Sequence, residues 1–321
     1  MALPNQQQGA RFMPPPAPTT PQFKRFFEDS KVVDDKGEPL VVYHGTTRNF
    51  VKFNPEKATV KSGPESDLGE GNYFTNIPED ASKNYVEGGQ DLTNLIEREF
   101  IRIESSEEVD TSTAKGEAQA RELARSRAMG EHKGAVYPVY LSMKKPAVID
   151  FDNRGTRLEM DYDWESERAE ITGEPEITGE LSRYFNAVDD VALRYGADRG
   201  ELAIDLDQFM TDGYATAYDL VKALKESEAV MYLDDDSGNL VGNQFIQDVF
   251  KEMGYDGFID KTVSQKFMSM NLPEDAVHYV VFKPEQIKSI YNRGEFSPEN
   301  PDIRFMPASN REVLYVNGVE V

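Results

Sequence analysis

Leu40-Val41-Val42-Tyr43-His44-Gly45-Thr46-Thr47 is the stretch on which the fold turns. Its four leading apolar residues follow a turn signal, Asp34-Asp35-Lys36-Gly37. A short, β-rich apolar run bounded by turn residues reads as a buried strand, with His44-Gly45-Thr46-Thr47 at its exit. Upstream, Phe23 to Phe27 reads as a short helix ending near Asp29-Ser30. Downstream, Asn54 to Asn72 carries Pro, Gly and scattered charges and reads as a loop. Tyr73-Phe74-Thr75 is a short strand. A helix then starts at Pro78-Glu79-Asp80 and runs through Ala81 and Tyr85, with Thr75 or Asn76 as its cap and proline inside the first turn.

The 321 residues leave room for two ordinary domains, or one with large insertions. Hydrophobic residues make up 39% and aromatic residues 11%, enough apolar material for a real core and against wholesale disorder. No apolar stretch approaches a bilayer span, and no short apolar block follows a basic start. Membrane and Sec-exported proteins are therefore excluded as first readings. Cysteine is absent, which excludes disulfide scaffolds, thiolate metal sites and cysteine nucleophiles. Three histidines, His44, His132 and His278, leave little scope for an imidazole-rich metal centre. With 35 basic against 58 acidic residues the net charge is −23, which repels nucleic acid and anionic membranes and favours solubility and a basic partner.

The first 22 residues, rich in Pro, Gln and Ala, read as a disordered or polyproline-like arm. Arg11-Phe12-Met13-Pro14 recurs as Arg304-Phe305-Met306-Pro307. It is either a coincidence of two Pro-bounded segments or a docking or processing tag. Glu97 to Glu108 is very acidic, and Glu117 to Ala128 is a solvated helix. Ala135 to Ser142 and Ala147 to Asp150 are strands. From Gly155 to Asn239 the chain turns polar, acidic and mostly helical, and Ile171-Thr172-Gly173-Glu174 repeats as Ile177-Thr178-Gly179-Glu180. Leu181–Tyr195, Tyr218–Ser227 and Phe245–Met253 have helical spacing, the last stopped by Gly254. Gly257–Asp260 and His278–Phe282 are strands. A Pro/Asn-rich tail from Gly294 ends in an extended piece at Val313–Val316. The expected organisation is an arm at 1–22, a core at 23–154, a helical acidic insertion at 155–242, the rest of the core at 243–306 and a tail at 307–321.

Three patterns share an order and spacing. They are Tyr43-His44-Gly45-Thr46; Gly69-x-Gly71-x-Tyr73-Phe74-Thr75 followed by Ala81-Ser82-Lys83-Asn84-Tyr85; and His278-Tyr279-Val280-Val281-Phe282 leading into Pro284-Glu285-Gln286-Ile287-Lys288. Together they resemble the ADP-ribosyltransferase superfamily of the diphtheria-toxin and poly-ADP-ribose-polymerase branch, whose signature is His…Tyr…Glu. The match is nearest to the ADP-ribosyltransferase domain of phage and mobile-element polyvalent proteins, down to the tail Phe296-Ser297-Pro298-Glu299-Asn300-Pro301-Asp302-Ile303. It covers Phe23–Tyr85, Ala135–Asp150 and Phe250–Phe305, and is silent on 155–240.

The resemblance implies an α+β fold, a split and mainly antiparallel sheet with an NAD cleft between its halves and the helical acidic insertion on one flank. It assigns His44 to ribose binding, Gly45 (with Thr46 beside it) to the carboxamide, Tyr73 and Tyr85 to stacking on nicotinamide, and Ser82 to a carboxamide hydrogen bond. The residue types suit this: glycine lets the backbone approach closely, and tyrosine rings offer flat faces worth about 0.5–1.5 kcal/mol beyond burial. Taken alone, His44 would be a packed or capping residue, Tyr73 a core aromatic, Tyr85 a helix-face residue, and Gly69 and Gly71 turn glycines. The other matched motifs reverse that reading for His44.

His278 occupies the place of the signature glutamate, whose carboxylate stabilises charge developing at the anomeric carbon. A neutral imidazole accepts a hydrogen bond but supplies no negative charge; Glu274, Asp275 and Glu285 are the nearby substitutes. Two further patterns carry little. Glu165-x-Glu167 and Glu174-x-Glu176 resemble the arginine-modifying branch without its companion motifs, and Asp234-Asp235-Asp236-Ser237-Gly238-Asn239 reads as a turn rather than a calcium loop. The implied activity is mono-ADP-ribosyl transfer from NAD, with catalytic roles for His44, Tyr73 and His278, no metal, and an acceptor that is a host or phage protein. A catalytically silent NAD or ADP-ribose-binding module and an NAD glycohydrolase are the alternatives. Lack of export signals places the expected location in the bacterial cytoplasm, or in a virion from which the protein is delivered.

Overall fold

The computed structural model describes residues 16–46, 50, 52–53, 67–86, 90–106, 108–131, 135–151, 155–172, 176–207, 214–268, 271–292, 296–303, 315–316 and 319–320. Both copies of Arg-Phe-Met-Pro, His132 and most of the loop expected at 54–72 lie outside the described residues. The first strands are β1 (Val42–Thr46), β2 (Asn72–Thr75), β3 (Ala135–Leu141) and β4 (Pro146–Ile149). A small separate antiparallel sheet follows, in the order β6-β5-β7, from β5 (Arg157–Asp163), β6 (Glu176–Thr178) and β7 (Tyr214–Thr216). Strands β8 (Gly257–Asp260), β9 (His278–Val281) and β10 (Ile287–Ser289) complete a main sheet of seven in the order β10-β3-β1-β2-β9-β8-β4. Every pairing in it is antiparallel except β4 with β8. The fold is thus α+β, as expected.

Several expectations are corrected. His44, Gly45 and Thr46 lie inside β1 rather than at its exit, because β3 pairs with all five residues from Val42↔Val139 to Thr46↔Ala135. The acidic stretch at 97–108 belongs largely to a helix, Gln90–Ser105, whose apolar residues recur at helical spacing between the charges. The region 155–242 is mostly helical, as expected, and also holds β5, β6 and β7. The repeated Ile-Thr pair is helical at Ile171-Thr172 and extended at Ile177-Thr178. Near the C-terminus, β11 (Tyr315–Val316) forms a hairpin with β12 (Val319–Glu320).

Helix α1 (Pro21–Phe27) starts on Thr20, whose hydroxyl accepts a hydrogen bond from the Phe23 amide at 3.2 Å, and its proline sits where no amide is needed. Helix α2 (Pro78–Asp80) runs directly into a π turn, Ala81–Val86. Helices α3 (Gln90–Ser105) and α4 (Ala114–Glu131) pack on each other through Phe100, Ile103, Ala120 and Ala124, with the Arg121 guanidinium 4.4 Å above the Phe100 ring. Next come α5 (Glu167–Thr172), α6 (Gly179–Tyr195), α7 (Arg199–Asp207), α8 (Ala217–Glu226), α9 (Glu228–Met231), α10 (Gly242–Glu252) and α11 (Val263–Lys266).

One face of the sheet carries Val42, Phe74, Val139, Tyr279 and Val281 into a shared cluster. On the other, Phe258 and Val280 join Tyr184, Leu220, Phe245 and Phe250, so residues 155–242 share one core with the sheet. Tyr43 and Tyr140 meet α1 and Phe296 of the C-terminal segment in a third cluster. Lys288, fully buried, ties that segment down by donating to the Asn300 carbonyl at 2.6 Å and the Glu285 carbonyl at 3.1 Å.

The β8–β9 contact sets a steric limit. A Cβ on Gly257 would lie 2.3 Å from the Val280 carbonyl oxygen and 2.6 Å from Met143 Cε. Gly257→Ala is expected to cost roughly 1–3 kcal/mol, seen as a lower urea midpoint with an unchanged slope. An unchanged midpoint would show that the strands can shift freely there.

Candidate functional site

The site forms where β1 and β2 part. These strands pair at a single register position, Tyr43 opposite Thr75. Beyond that rung the His44 side chain replaces the ladder: Nδ1 donates to the Tyr73 carbonyl at 2.8 Å. A carbonyl can only accept, so this bond fixes the proton on Nδ1. The imidazole stands among rings, with centroids 5.0 Å from Phe53, 5.4 Å from Phe74 and 6.0 Å from Phe50. Phe50 in turn stacks on Tyr137 and donates its amide to the Tyr137 hydroxyl at 2.8 Å. His44 is half-buried and held on both sides.

Tyr73 closes a turn. Its hydroxyl donates to the Gly69 carbonyl at 2.7 Å and accepts from the Leu68 amide at 3.3 Å. Gly69 has φ +82°, and a Cβ on Gly71 would lie 2.4 Å from Val280 Cγ1, so both glycines serve the turn and its packing on β9. Gly45 sits in β1 opposite Val136, and Thr46 is buried beside it opposite Ala135. Ser82 lies half-buried in the π turn next to β1; Tyr85 follows in the same turn, and its side chain lies outside the described residues. A π turn is a local widening that recurs at functional sites.

His278 is buried at the start of β9, opposite Thr75 on one side and Asp260 on the other. It therefore flanks the last rung between β1 and β2, while His44 spans the first missing one. The two imidazoles lie on opposite faces of the sheet, since Thr75 and Phe74 alternate. Nε2 of His278 is 2.9 Å from Asp80 Oδ2, and its ring lies nearly parallel to Phe267 with centroids 6.3 Å apart. Asp80 ends α2, and its other oxygen accepts from Asn84 Nδ2 at 2.7 Å. Burial pushes the Asp80 carboxyl up, but hydrogen bonds from His278 and Asn84, the electrostatic pull of His278 and a hydrogen bond from Thr75 outweigh it and hold the group below its ordinary range. The sequence reading missed Asp80, because nothing at 80 signals a partner at 278. Of the carboxylates that it named, Glu274 and Asp275 are exposed and Glu285 lies half-buried past the strand. Glu165 and Glu167 are exposed as well.

Asp260 is otherwise engaged: Lys266 Nζ bridges its Oδ2 at 2.9 Å and Asp67 Oδ2 at 2.8 Å, and lies 4.8 Å from the Tyr218 ring. No group of three or more His, Asp or Glu side chains poised for a metal occurs among the described residues.

A sequence profile described as "ADP-Ribosyltransferase in polyvalent proteins" matches residues 34–128 and 112–296. The chain belongs to this family. The matched spans take in β1, β2, the π turn, β9 and the whole region 155–242. No curated protein and no solved structure matches the chain. Among the described residues no helix of this ADP-ribosyltransferase family member is long and apolar enough to cross a membrane.

Glu70, between the two glycines, is buried with its amide donating to the Asn243 carbonyl at 2.9 Å and its carbonyl accepting from Gln247 Nε2 at 2.8 Å. Burial pushes its carboxyl up to about 7, with Lys251 opposing and Asp248 adding. The unfolded chain releases this proton near 4.5, so the folded state holds it more tightly. The cost of ionisation accumulates above about pH 4.5 and is complete above about pH 7. Glu70→Gln should therefore melt with the wild type near pH 4 and above it at pH 8, by on the order of 2–3 kcal/mol. Parallel melting curves across that range would show that burial does not hold the proton.

Proposed function

We propose that the protein cleaves NAD at the nicotinamide glycosidic bond and transfers a single ADP-ribosyl unit to an acceptor protein of the host or phage. The observation that carries this reading is the His44–Tyr73 hydrogen bond across the parted strands, with the π turn that holds Ser82 and Tyr85 packed on the neighbouring Tyr43. The donor set suits a nicotinamide riboside: an oriented imidazole for a ribose hydroxyl, a glycine backbone and a serine hydroxyl for the carboxamide, and tyrosine rings for stacking. His44, Gly45, Thr46, Ser82 and Tyr85 would hold the substrate. The fixed Nδ1–H leaves the imidazole one defined orientation, so ribose binding needs no reorganisation at the moment of reaction. Tyr73 supports this arrangement chiefly through its carbonyl, because its hydroxyl closes the turn.

The test follows nicotinamide release from NAD carrying separate labels on the nicotinamide and adenylate halves, in buffer and in host lysate. The wild type should release nicotinamide and label lysate protein, and His44→Ala should reduce release by roughly 10²–10³-fold. Release with no labelled macromolecule would replace transfer by hydrolysis. No release, with NAD still raising the melting temperature, would leave a silent binding module. No release and no thermal shift would remove NAD from the reading altogether.

A further inference from the structure

We propose that the open end of the small β6-β5-β7 sheet docks a basic segment, rich in lysine and arginine, of the protein that accepts ADP-ribose. The proposal rests on the NAD-cleaving reading above and names the chemistry by which the acceptor is recognised.

The apolar row of β5 runs out of the core. By the alternation of a strand, Leu158, Met160 and Tyr162 fall on one face and Glu159, Asp161 and Asp163 on the other. Leu158 is fully buried and Met160 packs partly against the same core, but Tyr162 is 52% exposed. Just past the strand, Trp164, the only tryptophan of the chain, is 65% exposed. Helix α5 lies in the connection from β5 to β6, at the end of the sheet where Asp163 pairs with Glu176, and there Ile171 is 76% exposed. A single apolar residue on a surface needs no explanation. A group that extends a core row into solvent, and includes the aromatic types that anchor interfaces, marks a contact surface.

The charge around these side chains selects the occupant. Between Arg157 and Glu180 the chain has nine acidic residues and two basic ones. Arg157 is engaged within the sheet, with its guanidinium 3.5 Å from the centre of the Tyr214 ring and its Nε 3.8 Å from Glu159. Asp161, Asp163, Glu165, Glu167 and Glu170 are exposed. A second copy of the chain would set this acidic border against itself, and nucleic acid or an anionic membrane is repelled by the same charge. A basic segment satisfies both features. Its cationic heads meet the carboxylates and the ring faces, and its methylene stems cover the apolar side chains.

The surface is joined firmly to the site. Leu158 and Ala215 of the small sheet share one cluster with Phe258 and Val280 of the main sheet, and Tyr73, whose carbonyl orients His44, packs against that cluster. A segment held there stays tethered near the cleft, which raises the effective concentration of the acceptor nucleophile.

The test uses the full chain and two peptides of equal length, one of lysine, arginine and glycine and one with glutamate in place of the cations. Trp164 is the reporter. The basic peptide should shift its emission to shorter wavelength in a saturable titration that weakens as salt rises, and the glutamate peptide should leave it unchanged. Tyr162→Ala keeps the reporter and should weaken binding about 10-fold or more. The double substitution Tyr162→Ala/Trp164→Ala removes only exposed side chains. In host lysate with NAD it should lower the label on protein about 10-fold or more, with nicotinamide release in buffer within about 2-fold of the wild type. No emission change, an equal response to both peptides, or wild-type protein labelling by the double substitution overturns the proposal while leaving the NAD reading intact. A wild-type dimer that this substitution dissociates gives the surface to a second copy and overturns it as well. A wild type that binds the basic peptide but releases no nicotinamide overturns the NAD reading, and with it the partner's role as acceptor.

Discussion

The single rung between β1 and β2 is the constraint from which the site follows. A sheet that is continuous elsewhere is joined here only at Tyr43 and Thr75. A backbone carbonyl left without its ladder partner must find another donor, and for Tyr73 that donor is the His44 imidazole. The same bond that satisfies the backbone orients the histidine. Structural necessity and the proposed ribose contact thus fall on one side chain. Its aromatic surroundings are built from both neighbours in the sheet and from Phe50 and Phe53.

Around this gap the interior is stiffened by groups that cost free energy to bury. Lys266 binds two carboxylates from segments far apart in the chain, Asp67 and Asp260, and lies against Tyr218 of α8. The helical region thereby contacts the sheet through charge as well as through the shared apolar core. Lys288 has carbonyls rather than carboxylates for partners, and burial pulls its pKa down to about 8. The segment that it holds is the family-like tail from Phe296 to Ile303, which returns to the sheet where the Ile303 carbonyl accepts from the Ser289 amide at 2.9 Å.

The sheet was largely legible because its strands are short apolar runs between turn residues: Val42-Tyr43, Tyr73-Phe74, Phe258-Ile259 and Tyr279-Val280-Val281 are all where the pattern put them. Gly254, with φ +82°, ends α10 as expected of a glycine just past a helix. Where charge dominated composition, periodicity was obscured. In α3 the buried Leu92, Phe100 and Ile103 recur at helical spacing among acidic neighbours. In β5 a strictly alternating Leu158-Glu159-Met160-Asp161 lies within a region whose helices set the overall impression. The identical Ile-Thr-Gly-Glu segments show the limit plainly, since tertiary contacts decide which Ile-Thr is helical and which is paired. Motif order marked out His44, Gly45, Tyr73, Ser82 and His278, but pairing between positions 80 and 278 has no local signature. It exists only once β2 and β9 are neighbours.

That last dependence has a kinetic side. The strand carrying His278 lies between β2 and β8, and β10 must still reach the far edge beside β3. The pairings of β9 with β2 and of β10 with β3 each close a loop of well over a hundred residues, the kind of contact that slows folding most. During synthesis the first half of the chain can form helices and the β1–β3 pair while the Asp80–His278 pair and the floor of the cleft are still missing. The contact between Asp80 and His278 can therefore form only after β9 has been made and has paired with β2.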